Sequence, residues 1–83
     1  MSAAPSRLEA MRRNPRADWT IGDVQAICRE YGISCEPARG GGSHYKVNHP
    51  RLNGALTIPF KRRIKPVYIT KLVQLIDTLR RAT

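Results

Sequence analysis

Apolar positions along the chain follow two rhythms, one helical and one of strands. Val24, Ile27, Cys28 and Tyr31 recur at three- and four-residue intervals, the spacing of one helical stripe. Thr20 precedes them with Asp23 three residues on, the spacing of a capping box with Asp in place of Glu. Trp19 and Val24 occupy the two positions of a hydrophobic staple. Gly32 follows as a left-handed stop, so the pattern predicts a helix over 21–31. Ile33 and Cys35 then alternate with Ser34 and Glu36 as far as Pro37, a short strand. Beyond the flexible basic turn Arg39-Gly40-Gly41-Gly42 the alternation resumes. Tyr45 and Val47 point one way, and His44, Lys46 and Asn48 the other. Residues 49–54 connect, with a turn signal at Asn53-Gly54. Leu56 and Ile58 oppose Thr57 in a third strand over 55–60. A basic loop leads to Pro66, a residue suited to the first position of a helix. Ile69, Leu72, Val73, Ile76 and Leu79 carry that helix over 66–81, with Arg80 and Arg81 at the negative end of its dipole.

Residues 1–18 are different in kind. Arg7, Arg12, Arg13 and Arg16 outnumber the larger apolar residues there. Residues 6–13 allow a short helix with Ser6 as cap and Glu9 at the third position, ended by Pro15. The expectation is a loosely attached basic extension over 1–18, either that short helix or a disordered tail, followed by one domain over 19–83.

The order helix, three strands, helix is an α+β arrangement. Three such strands fit an antiparallel meander with one buried face. Both amphipathic helices need an apolar surface and the sheet offers one, so both are expected on the same side, leaving the other open. This order resembles the double-stranded-RNA-binding fold, α-β-β-β-α.

With 83 residues the chain holds one core. A domain of this size buries about 60% of the surface its unfolded chain exposes, which leaves little rigidity for a deep active site. Fifteen Lys and Arg against six Asp and Glu give a net charge of +9. A field of that sign draws polyanions. Nucleic acid is the first candidate and an anionic membrane the second, with an acidic protein partner as the remaining reading. Cys28 and Cys35 make no C-x-x-C pair, and they form no zinc spacing with His44 and His49. No apolar leader or membrane-length stretch is present, so two free thiols in a reducing cytoplasm are expected.

The stretch Gly41-Gly42-Ser43-His44-Tyr45-Lys46-Val47 carries the candidate chemistry. A glycine turn lets backbone N–H groups face a phosphate. An imidazole titrates near neutrality and can take a proton from a ribose 2′-hydroxyl or give one to the leaving 5′-oxygen. Lys46 lies two residues on, on the same side. The basic loop Lys61, Arg62, Arg63 and Lys65, together with Arg39, can hold phosphates and offset transition-state charge. His49 is five residues from His44, roughly 16 Å along an extended strand and on the opposite face, so the two are not expected to act as a pair. Tyr31 and Tyr68 fall on helical stripes and read as core-edge residues.

An amphipathic helix, a Gly-Ser-His opening the middle strand, Leu56-Thr57-Ile58-Pro59, a basic loop with Ile64-Lys65 and a closing helix together resemble the HicA toxins. These are the RNA-cleaving members of HicA–HicB toxin–antitoxin pairs, and the resemblance spans about residues 19–79. It implies a double-stranded-RNA-binding-like fold and a metal-independent mRNA endonuclease that uses a histidine and no cofactor. It also implies a HicB-like antitoxin as partner. The family's Gly-Ser-His falls on Gly42, Ser43 and His44. Its third-strand Pro falls on Pro59, and its basic loop on Lys61, Arg62, Arg63 and Lys65. Relatives often carry a second His where this chain has Tyr45, and another soon after the Pro where it has Phe60 and Lys61. The sequence leaves two alternatives beside the toxin: a non-catalytic RNA-binding module on the same fold, and a basic interaction protein for an acidic antitoxin-like partner.

Overall fold

Caps and turns written into the sequence set where each element begins and ends. The computed structural model describes residues 6–38, 43–60 and 63–82. Six elements follow in order: α1 (Arg7–Arg13), α2 (Ile21–Glu30), β1 (Ser34–Pro37), β2 (His44–Asn48), β3 (Leu56–Pro59) and α3 (Pro66–Ala82). Their bounds fall within one or two residues of those the patterning predicts. At the start of α2 the Asp23 N–H donates to Thr20 Oγ1 at 3.3 Å, and the Thr20 N–H donates to Asp23 Oδ2 at 3.0 Å. Two otherwise orphaned backbone donors are satisfied by this reciprocal box. The helix stops at Gly32, whose φ of +68° is cheap only for glycine. There the Ile33 N–H reaches the Cys28 carbonyl at 2.8 Å and the Gly32 N–H reaches that of Arg29 at 3.3 Å, a Schellman closure.

The strands form one antiparallel sheet in the order β1-β2-β3. Its register sorts the side chains into two faces. Cys35 pairs with Val47 and Val47 with Leu56, while Tyr45 pairs with Ile58. Glu36, Lys46 and Thr57 form a row on the other face, with His44 opposite Pro59. A single core joins Val24, Ile27 and Cys28 of α2 to Val47 and Ile58 of the sheet and to Ile69, Leu72, Val73, Ile76 and Leu79 of α3. Both long helices therefore cover the Val47–Ile58 face. Ser34, Glu36, His44, Lys46 and Thr57 are exposed on the reverse.

The N-terminal segment departs from the expectation of a loose arm. The short helix is present, with the Glu9 N–H donating to Ser6 Oγ at 3.2 Å, but it is docked. Leu8 and Met11 are 2% and 0% exposed within the common core, and α1 lies against α3. Arg12 donates twice to the Asp77 carboxylate, at 2.6 and 3.0 Å. Two apolar side chains three residues apart dock a helix of about two turns, each stabilising the contact by about 1.5–3 kcal/mol when fully buried.

Cys28 is buried and Cys35 half-buried, and both are free thiols. The end of α2 and the middle of β1 bring them into hydrogen-bond contact. That bond and burial push the Cys28 thiol up, while the same bond lowers Cys35. Among the described residues no helix is long and apolar enough to cross a membrane.

Candidate functional site

His44 opens β2, and backbone bonds on both sides fix its position. Its carbonyl accepts the Ala38 N–H at 2.8 Å, and the carbonyl of Ser43 accepts the Phe60 N–H. Strand alternation sends Tyr45 and Val47 to the core, so His44 must project to the bare face, and it is exposed there. At this end of the sheet lies a depression of about 350 Å³ lined by Ser43, His44, Pro59, Phe60, Lys65 and Tyr68. The connection into α3 is drawn down beside it. Ile64 is buried, and its N–H donates to the Trp19 carbonyl at 2.9 Å. Lys65 follows, its carbonyl accepting the Tyr68 N–H at 3.0 Å in the first turn of the helix.

Of the residues expected to serve RNA, Ser43 and Lys65 share the depression with His44. Lys46 is on the same face but lines a second depression with Asn48, His49, Pro50, Leu52, Gly54 and Ala55. Across the ladder its register partner is Glu36. Arg63 turns elsewhere: its Nε lies 3.1 Å from Asp18 Oδ1, and it is not among the residues around His44. Its partner is an acidic residue ahead of α2, and its side chain is exposed. Arg39, Gly41, Gly42, Lys61 and Arg62 lie outside the described residues.

His49 does not line the depression at His44; it lies just past the end of β2, where strand alternation no longer applies, and shares the second depression with Lys46 and Asn48. Its Nδ1 accepts the Arg51 N–H at 3.0 Å, an acceptor role that leaves the proton of the neutral ring on Nε2. The ring is held within its own turn.

Two aromatic residues complete the site that sequence reasoning treated otherwise. Tyr68 packs partly on the core, as its stripe position implies, yet it also lines the depression. Phe60 is 52% exposed and meets Tyr45 edge-to-face, ring centres 5.8 Å apart at 73°. An aromatic residue set directly beside a run of Lys and Arg was the available signal for Phe60. For Tyr68 the signal was its place in the first turn, just after Pro66, beside the basic loop.

The arrangement can exchange a proton at an imidazole, hold an anion at Lys65 and present aromatic surface next to both. Among the described residues no three His, Cys, Asp or Glu side chains gather where a metal could sit. Compared with protein-family models, with curated proteins and with solved structures, the chain matches none of them.

Proposed function

We propose that the chain is a HicA-like toxin of a type II toxin–antitoxin pair. In this reading it is a cytoplasmic endoribonuclease that binds and cuts mRNA without a metal, on a double-stranded-RNA-binding-like scaffold, and a HicB-like antitoxin neutralises it. The observation that carries the reading is an exposed His44 on the helix-free side of the sheet, sharing one depression with Lys65. Support also comes from the order of α2, three antiparallel strands and α3, and from the net charge of +9.

In the proposed reaction His44 removes the proton of a ribose 2′-hydroxyl while O2′ bonds to phosphorus. The bond from phosphorus to O5′ breaks, and the departing oxygen takes a proton from water. The products are a 2′,3′-cyclic phosphate and a 5′-hydroxyl. Lys65 offsets the charge that grows on the non-bridging oxygens.

The test uses a labelled single-stranded RNA in EDTA with the parent chain and His44→Ala. Loss of the imidazole should slow cleavage by about 10²–10⁴-fold, the usual share of general acid–base catalysis. Cleavage at the same rate in the variant overturns the assignment. Growth arrest on induction, relieved by a co-expressed antitoxin, is the expected cellular outcome.

One observation favours a second reading, a non-catalytic RNA-binding module. His49 sits at the other depression, so among the described residues His44 has no imidazole partner. Tight binding with no cleavage by the parent chain would select that reading.

A further inference from the structure

We infer that Phe60 and Tyr68 form a seat for one unpaired nucleobase beside His44, so that the site takes single-stranded RNA and not a duplex. This rests on the RNA reading above and adds to it the state of the substrate and the residues that select it.

Phe60 is the centre of the inference. A half-exposed phenylalanine forgoes the burial that stabilises most residues of its type. Two contacts nevertheless fix it in place: its N–H is bonded to the Ser43 carbonyl, and its ring meets Tyr45 edge-to-face. The result is an oriented aromatic surface adjoining His44, with Tyr68 lining the same depression and Lys65 supplying charge for a neighbouring phosphate. That combination of aromatic surface and cation is how proteins hold single strands, because every base has a π-face to stack.

Size and surroundings favour a base over a protein surface. At about 350 Å³ the depression is near the lower end of the range of about 300–1,000 Å³ that suits small ligands. Among the described residues the exposed large apolar side chains are Phe60 and Val67 alone. A stable protein interface needs about 800 Å² from each partner, and two such residues do not make an apolar patch of that extent. A base inside a duplex is stacked on both sides and paired at its edge, so it reaches Phe60 only after unpairing.

The experiment measures binding of the full chain to a fluorescent octanucleotide of 2′-O-methyl RNA, which cannot be cut because its 2′-oxygen is blocked. The same strand is offered single, annealed to its complement, and with abasic sites throughout. Phe60→Ala should weaken binding of the single strand roughly 5- to 150-fold, the range for one stacked base, and leave the duplex and abasic forms nearly unchanged. Phe60→Trp should restore the affinity, whereas Phe60→Leu, apolar but without a π-face, should not. Equal affinity of Phe60→Ala and the parent for the single strand overturns the seat while leaving the RNA reading standing. So does an equal loss on all three ligands, or rescue by Leu. Failure of the parent chain to bind any form at low salt removes the RNA reading itself, and the seat with it.

Discussion

The two faces of the sheet differ by a single step along each strand. Val47 is buried among the helices while Lys46 beside it is exposed, and Tyr45 meets the core side while His44 stands on the bare one. One residue of advance, about 3.3 Å, exchanges a dry, close-packed setting for a wet one. The helix-covered face holds the molecule together and tolerates no loss of volume. The bare face contributes little to stability, so its side chains are free to serve a ligand.

The sharpest way to break this comparison is to truncate one residue on each face. Ile58 is fully buried at the centre of the covered side. Ile58→Ala should cost about 2–5 kcal/mol, a large part of the roughly 4–12 kcal/mol expected for a chain of this length. His44→Ala should shift stability by no more than about 0.5 kcal/mol, as for most exposed positions, while removing the proposed cleavage. Urea midpoints of the two variants decide the matter. A His44 variant as unstable as the Ile58 one would mean that the second face is packed after all.

A smaller effect sharpens the boundary of the covered side. Leu8 belongs to the same core but sits on a helix of seven residues at its edge, where the neighbours can close over a lost side chain. Leu8→Ala should therefore cost about 2–3 kcal/mol, near the low end for such truncations. A urea midpoint equal to that of the parent would show α1 to be undocked in solution.

Local rules made most of this fold legible. Period-two and period-3.6 patterns, the Thr20–Asp23 box and the Gly32 stop specify α2, the strands and α3 without reference to anything distant. The alternation about Tyr45 likewise placed His44 on the open side. Features set by partners far along the chain were hidden. Docking of α1 depends on Leu8 and Met11 finding α3, and the two residues of the Arg12–Asp77 pair are 65 apart. Arg63 gave no local sign of Asp18. The opposition of Glu36 to Lys46 follows only from a register that the connection between β1 and β2 decides. At the site, Ser43, His44 and Lys65 were read from motif and charge. Phe60 and Tyr68 were not, because one shares the depression through the β2–β3 ladder and the other through the first turn of α3.

The smallest expected effect lies on the α1–α3 seam, where the covered side meets water. The Asp77 carboxyl is held below its ordinary range chiefly by the hydrogen bonds from Arg12; desolvation opposes this, and the charges of Arg12, Arg81 and Arg80 add smaller lowering effects. Glu9 also approaches Arg12, its Oε2 3.4 Å from Nε. Because the folded state favours the ionised carboxylate, the pair's contribution is complete above the unfolded-state value of about 3.9 and fades as pH falls through the lower folded-state value. Asp77→Asn should thus lower the urea midpoint at neutral pH by less than either core truncation, since both partners are solvent-accessible. In acid the parent and Asp77→Asn curves should converge, the parent losing what the variant never had. Arg12 retains Glu9 as a partner in either chain, which keeps the difference small. A gap that persists undiminished into acid would mean that Asp77 acts through packing instead of charge, and that the seam belongs wholly to the core.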